Sequence, residues 1–598
     1  MGRTTINDRL AGLGRRIYAV LRPQTTGFLI VSVLVGSVSG LLSVLFWHAI
    51  HLVNVFGGTT TLGWIHHSLG ASVDWLSPRL WRSLMPMLGA LLMAVLTLKI
   101  FKAPTNPGIP AVMLDARAQP GSLPVRYVFA AFLASALIIG SGGSAGREAP
   151  VVAMGGILGG WVGRWLGLTK RRRQILIGCG AGAAIAAAYN APMAGLFFGI
   201  EIVLGDYTAA TISPALLASV AGTVVARALE GVGASHFAVP PYQFTNWWEI
   251  VLYAGLGLAA GLVAPLFVAT HNTIHRYFST SSKLPAMLRP AAGGLAVGIV
   301  AFWLPAVMGN GYDHVQSALT GGLAGGLLLA LVFGKIFATS LTLGSGGWGG
   351  DFAPLLFIGA MLGGAYGVGI EHLLPNIGLA PGSYAMVGMG ALLTAAIRCP
   401  ITAILLLFEL TGSYQVILPI MAAVGVAIPV SRIFLHRGMY HGRLEEMGGP
   451  ASELSEARIL ETVKIAQIMR AQAVTLAAGT PYREILRVIS SSDQLVYPVL
   501  SMDGHLLGVL TFHELRGYLN AVELADLVVA EDVATSDAPV LSVHDSLERA
   551  MQLFADSDLE ELPVVDDLTH RQFAGILTRR QALAARGRAM AEWEMEEA

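Results

Sequence analysis

Residues 140–150 read GSGGSAGREAP, residues 344–354 read GSGGWGGDFAP, and matched positions lie 204 apart. The register persists beyond the phrase. Gly155, Gly159, Gly160 and Gly163 recur at the same offset as Gly359, Gly363, Gly364 and Gly367. Agreement of this length marks an internal duplication. Each copy is a loop of small residues that runs into an apolar, helix-like segment. Glycine leaves backbone N–H groups exposed, and a helix start carries several unpaired amides with a partial positive charge. Two such starts, one from each half of a duplicated membrane domain, are the parts needed to hold an anion at the bilayer midplane.

Composition agrees with a membrane setting. Charged residues make up 13% of the chain and hydrophobic residues 54%, with mean hydropathy +0.63, whereas ordinary soluble chains are about 25% charged. Residues 26–47, 251–270 and 321–334 carry no charge. Some apolar stretches are long enough to cross a bilayer and others too short, so re-entrant helices are expected. The only cysteines, Cys179 and Cys399, lie in apolar stretches, which leaves no disulfide framework and no metal site to expect. Arg3, Arg9, Arg15, Arg16 and Arg22 precede the first span and place residues 1–25 in the cytoplasm by the positive-inside rule. That basic segment leads into a span too long for a cleavable signal.

A second matched pair extends the duplication. Residues 181–201 (AGAAIAAAYNAPMAGLFFGIE) and 389–409 (MGALLTAAIRCPITAILLLFE) each place a glutamate nine positions after a proline: Pro192 to Glu201, and Pro400 to Glu409. The repeats run about 26–235 and 247–440, and an inverted arrangement is the expected design for a site between interrupted helices. A linker over 444–462 leads to a soluble tail that is itself duplicated. Tyr497-Pro498-Val499-Leu500 precedes Gly508-Val509-Leu510-Thr511, and Leu562-Pro563-Val564-Val565 precedes Gly575-Ile576-Leu577-Thr578. Pro481 is expected at a first helical position, and Asp545 with Glu548 as a capping box.

The ordered set Asn106-Pro107-Gly108-Ile109-Pro110, Gly146-Arg147-Glu148-Ala149-Pro150, Gly350-Asp351-Phe352-Ala353-Pro354 and a late Tyr440 resembles the CLC family of chloride channels and proton-coupled chloride transporters. The likeness covers 26–443. The tail resembles a tandem pair of CBS domains, 463–522 and 523–585, before a terminal segment 586–598. The fold class implied is an all-α polytopic membrane domain with an internal inverted repeat and re-entrant helices, plus a cytoplasmic α/β CBS module. The resemblance further implies a homodimer in the bacterial cytoplasmic membrane, with one independent pore per subunit. It implies no enzyme activity and no nucleic-acid partner.

Roles follow residue by residue from that resemblance. Glu148 is the gate: while ionised, it competes with the anion for helix-start amides, and its protonation frees them. Membrane-embedded carboxylates are costly and usually functional. The anion-binding set is Pro107, Gly108, Ile109, Gly146, Arg147, Ala149, Asp351, Phe352, Ala353 and Tyr440, with Tyr440 contributing its phenol and Asp351 carrying no assigned side-chain role. Glu201 is a candidate for the proton path but reads first as a structural glutamate, because Ile202 occupies the position of the family's internal proton acceptor. That apolar residue favours a passive, glutamate-gated channel over the alternative, a chloride/proton or nitrate/proton exchanger. Pro107 stands where chloride-selective members have serine and supplies neither O–H nor N–H; the resemblance ties a proline there to nitrate preference, so nitrate is a close second to chloride. Ala149 adds a methyl beside the outer site. In the tail, Thr511, Glu514, Thr578 and Gln581 sit where some CBS domains hold adenine nucleotides, and a ligand-free dimerising module is the preferred reading. An intramembrane enzyme using Ser141 or Ser345 lacks a histidine base in either motif. A sensor with a purely anchoring membrane part would not need the whole anion-site motif set.

Overall fold

The computed structural model describes residues 26–57, 77–103, 106, 108–231, 247–281, 283–375, 381–447, 460, 462–515, 527–557, 559–567 and 569–596. Pro107 and the N-terminal arginines lie outside them. The chain divides into two compact units, Met1–Gly449 and Pro450–Ala598.

The first unit is helical, and its order of elements repeats. One half holds α1 (Thr26–Val55), α2 (Pro78–Val95), α3 (Gly108–Arg117), α4 (Arg126–Gly140), α5 (Glu148–Trp165), α6 (Lys170–Tyr189), α7 (Pro192–Phe197) and α8 (Ala209–Glu230). The other holds α9 (Glu249–Arg276), α10 (Arg289–Trp303), α11 (Tyr312–Leu319), α12 (Gly325–Gly344), α13 (Phe352–Leu373), α14 (Pro381–Ile397), α15 (Pro400–Thr411) and α16 (Ile417–Phe434), followed by α17 (Met439–Glu446). Seven helices among the described residues are long and apolar enough to cross a membrane. Others, such as the ten residues of α3 and the eight of α11, are too short to do so.

Backbone geometry repeats along with the order. Gly142 and Gly346 have φ of +99° and +101°, Asn190 and Arg398 +56° and +69°, and Gly205 and Gly412 +67° and +64°. The left-handed residue before Ala191-Pro192 and the one before Cys399-Pro400 each end one helix, and the proline then opens the next.

The glycines following the loops serve packing. A Cβ on Gly155 would lie 2.2 Å from the Gly180 carbonyl oxygen, and one on Gly359 would lie 2.4 Å from that of Gly388. Helix α5 therefore meets α6 backbone to backbone, and α13 meets α14 in the same way. Small residues allow this close approach where apolar burial gives helices little reason to associate. Contacts of α2 with α10 and of α7 with α15 join the halves.

The second unit carries two three-stranded sheets of identical design. In one, β1 (Leu476–Ala477) pairs in parallel with β2 (Val496–Leu500), which pairs antiparallel with β3 (Leu506–Thr511). The other repeats this with β4 (Leu541–Ser542), β5 (Glu561–Val565) and β6 (Phe573–Thr578). Each sheet has its register shift at the matching place, between Val499 and Leu500 and between Val564 and Val565.

Both expected helix starts in this unit move by one residue. Pro481 is the N-cap of the helix Tyr482–Ser490, with extended ψ of 149°. Ser546, not Asp545, caps Leu547–Asp556 by accepting from the Arg549 amide, while Asp545 accepts from the Ser542 amide 2.7 Å away. Serine and aspartate are near-equal caps, so adjacent candidates are separated only by the path of the incoming strand.

Candidate anion site and its gate

The two decisive loops touch. Gly146 and Gly350, equivalent positions of the repeat, form an antiparallel bridge: the Gly146 amide donates to the Gly350 carbonyl at 2.7 Å and the reverse bond is 2.9 Å. Segments that meet at equivalent residues and run antiparallel are what an inverted repeat requires. Side chains pin the bridge. The Ser144 amide donates to Thr342 Oγ1 at 3.0 Å, and the Asn106 amide group donates to the Gly349 carbonyl at 2.9 Å.

Beside the bridge sits Glu148, fully buried at the first residue of α5. Its Oε2 accepts from the Ala353 amide at 3.2 Å, on the first turn of α13. Its Oε1 accepts from the phenols of Tyr189 at 2.6 Å and Tyr312 at 2.8 Å. The carboxylate thus occupies an amide on the opposite half's helix start, where the dipole favours negative charge. A Cβ on Gly146 would lie 2.3 Å from Oε2, so this glycine makes the seat possible. Arg147, itself buried, lies 4.7 Å over the Trp47 ring and within 6 Å of the Tyr189 and Tyr312 rings, and it donates to the Ala188 carbonyl. Phe352 packs near Tyr189 and Phe198 at ring separations of 6.1 and 6.0 Å. Ala149 is buried beside Gly350.

Next to the bridge lies a cavity of about 450 Å³ lined by Asn106, Gly108, Ile109, Asp351, Tyr440 and Arg443, among others. The Gly108 amide, expected to face an anion, is satisfied by Asn106 Oδ1 at 3.1 Å. The Tyr440 phenol, expected to donate to the anion, donates instead to Asp351 Oδ1 at 2.6 Å. Asp351 Oδ2 is 3.8 Å from Arg443 Nη1. The aspartate that carried no assigned side-chain role therefore holds the phenol.

Glu201 and Glu409 are engaged reciprocally. Glu201 accepts from the Ile401 and Thr402 amides at 3.1 and 2.7 Å and from the Thr402 hydroxyl at 2.5 Å, at the start of α15. Glu409 accepts from the Met193 and Ala194 amides at 2.9 and 2.8 Å, at the start of α7. Each caps the short helix of the other half. Ile202 is buried in the main core. Ser141 and Ser345 donate to carbonyls in their own helices, Ile138 at 3.1 Å and Thr342 at 3.2 Å.

In the tail, Glu514 Oε2 accepts from the Thr511 amide at 2.8 Å and from its hydroxyl, and Gln581 Oε1 accepts from both donors of Thr578 at 3.0 Å. All four nucleotide candidates close on one another.

Sequence reasoning missed Tyr189 and Tyr312. Tyr312 had a readable signal: at the 204-residue offset it stands on Gly108, with Asn310 on Asn106, so it belongs to a worn copy of the NPGIP motif. Lys335 then fixes its loop. This buried ammonium donates to the carbonyls of Val307 at 2.9 Å and Gly309 at 2.7 Å, three to five residues before Tyr312.

Residues 89–432 match the family described as voltage gated chloride channel, and residues 465–521 and 529–588 match the CBS domain. A ClcB-like protein of Ralstonia nicotianae is 40% identical over 347 residues, 57% of this chain and 80% of its own. The H(+)/Cl(-) exchange transporter ClcA of Vibrio cholerae serotype O1 is 31% identical over 441 residues, 71% of this chain and 92% of its own. Among solved structures, a slow cyanobacterial Cl-/H+ antiporter matches with TM-score 0.63 at 26% identity, covering 70% of this chain and 97% of that one. A eukaryotic CLC transporter has the same fold, with TM-score 0.61 at 18% identity over 94% of this chain and 98% of its own.

Proposed function

Because the chain belongs to the voltage-gated chloride channel family, we propose that it exchanges a small anion for protons across the membrane, with Glu148 as the shared switch. Anion transport is the family's business. The coupling to protons is the reading adopted here in place of the passive channel. The channel reading leaned on Ile202 alone, whereas the relative named as a proton/chloride exchanger is matched over 92% of its length and the structural neighbour at 26% identity is an antiporter.

The carrying observation is the seat of Glu148. An ionised carboxylate on the Ala353 amide fills a place suited to a dehydrated anion, and two phenols hold it there. Protonation removes the charge that makes this seat favourable. The side chain then leaves, an anion takes the amide, and its departure lets the deprotonated side chain return. Backbone amides suit this exchange, since the ion must bind weakly enough to leave. Ala353 is the first-turn amide that would meet the anion. Chloride is the proposed substrate, with nitrate as the competitor favoured by Pro107. A homodimer in the bacterial cytoplasmic membrane, with residues 1–25 and the CBS module inside the cell, completes the proposal. The module acts by dimerisation, since a nucleotide would first have to break the Thr511–Glu514 and Thr578–Gln581 pairs.

Reversal potentials in vesicles reconstituted with the full chain test the coupling. A proton gradient is expected to displace the reversal potential from the chloride value. Glu148→Gln should return it to that value and remove the pH dependence of anion flux. A wild-type potential that ignores the proton gradient would leave a channel.

A further inference from the structure

The site holds a second acid that nothing so far employs. Asp351 stands one residue after the bridged Gly350, as Glu148 stands two after the bridged Gly146. Both are buried, and each accepts a phenol at 2.6 Å, Glu148 from Tyr189 and Asp351 from Tyr440. They lie on the two sides of one helix start: Asp351 is the N-cap of α13, and the Ala353 amide two residues on holds Glu148. They differ in what they face. Glu148 is fully buried and held by two phenol hydroxyls, while Asp351 lines the 450 Å³ cavity.

We propose that Asp351 is the proton-relay residue on the cavity side of the bridge, taking protons from the cavity and passing them toward Glu148. This rests on the exchange reading above. An O–H bond forms on the Asp351 carboxylate as a donor in the cavity loses its proton. That bond breaks as the proton passes to the Glu148 carboxylate, where a new O–H bond forms, and the Asp351 carboxylate is restored with no change in electron count. Two other acids of this unit are committed elsewhere. Glu201 and Glu409 cap α15 and α7, and Ile202 is apolar.

The groups facing Asp351 fit a relay. Tyr440 on α17 donates to Oδ1, and Arg443, one turn further, approaches Oδ2. Arg443 also contacts His271 on α9, which stacks at 6.3 Å on His275; both imidazoles and Glu446 line the same cavity. Aspartate, tyrosine, arginine and two histidines thus cluster between the cavity and the start of α13. A carboxyl that can take up and release a proton is what proton transfer needs.

The test is chloride-driven proton movement in vesicles holding the full chain. Asp351→Asn is expected to lower the ratio of protons to chloride moved at least tenfold and to bring the reversal potential to the chloride value, while Asp351→Glu keeps coupling within about threefold of wild type. An unchanged ratio in Asp351→Asn overturns the proposal. If that variant does not assemble, Tyr440→Phe keeps the acid but removes its phenol donor, and the pH at half-maximal proton flux should move. A pH profile superimposable on wild type would equally overturn the relay. A wild type that moves no protons defeats the exchange reading itself, a result separable from failure of either variant.

Discussion

Tyr189→Phe removes one hydroxyl from the seat of Glu148 and nothing else. The phenol donates to Glu148 Oε1 at 2.6 Å, the shortest of the three bonds that hold the carboxylate. A hydrogen bond to a charged group contributes about 1.5–3 kcal/mol. Losing it should shift the ratio of seated to displaced side chain by roughly 10- to 150-fold, since each 1.4 kcal/mol is a factor of ten. Tyr312 stays in place to accommodate part of the loss, so the lower end is the safer expectation. The assay is anion efflux from vesicles between pH 4.5 and 7.5 at fixed chloride. At neutral pH, where the wild-type side chain is seated, efflux should rise about tenfold, and the pH dependence should flatten. A second arm makes the argument specific: in a Glu148→Gln background the same change should have no effect. Neutral-pH efflux within twofold of wild type would refute the seat, as would an equal rise in the Gln background.

Other expectations follow from neighbouring features. Glu201→Ala strips three donors of their acceptor at the start of α15, which should lower thermal stability in detergent by about 2–4 kcal/mol and leave the proton-to-chloride ratio unchanged; a lost ratio in well-folded protein would return Glu201 to the proton path. Gly359→Ala drives a methyl to 2.4 Å from the Gly388 carbonyl oxygen, so overpacking should cost about 1–3 kcal/mol, read as a lower midpoint in size-exclusion thermal scans. Pro107→Ser restores a hydroxyl donor and should raise the chloride-to-nitrate flux ratio. In the tail, partial burial pushes the Glu514 carboxyl up, but hydrogen bonds from Thr511 and Thr535 outweigh it and hold the group below the usual glutamate range. Its contribution is therefore complete above about pH 4.3, the ordinary glutamate value, and is lost as pH falls through the depressed one. Hydrogen exchange over 506–515 in the full chain should accelerate in that window, and less so in Glu514→Gln.

Much of this architecture was legible because duplication writes the same constraint twice. The paired GSGG phrases located both loops, and their bridge at Gly146 and Gly350 joins equivalent positions. The prolines at 192 and 400, read only as markers of the repeat, open the short helices, because a proline suits a helix start and cannot continue a preceding helix. What could not be read was the identity of partners across the fold. Tyr189 sits in an alanine-rich run and Tyr312 in a worn motif, and only the packing of α6 against α5 and of α11 against α13 brings both hydroxyls to Glu148. Asp351 was visible as a departure, yet its role depends on the approach of α17 from 89 residues away. The helix starts near 481 and 546 slipped by one residue because neighbouring cap candidates differ by little free energy.

The copies have not stayed equal where it matters. At the 204-residue offset Arg147 faces Asp351, Glu148 faces Phe352 and Gly108 faces Tyr312. Two identical halves meeting head to head would present the same chemistry to both solutions and could not tell inside from outside. Divergence at a few positions has given one loop a fully buried acid held by two phenols and the other a buried acid that lines a cavity. The asymmetry of the site is thus carried by a few side chains on a backbone whose near-symmetry is intact.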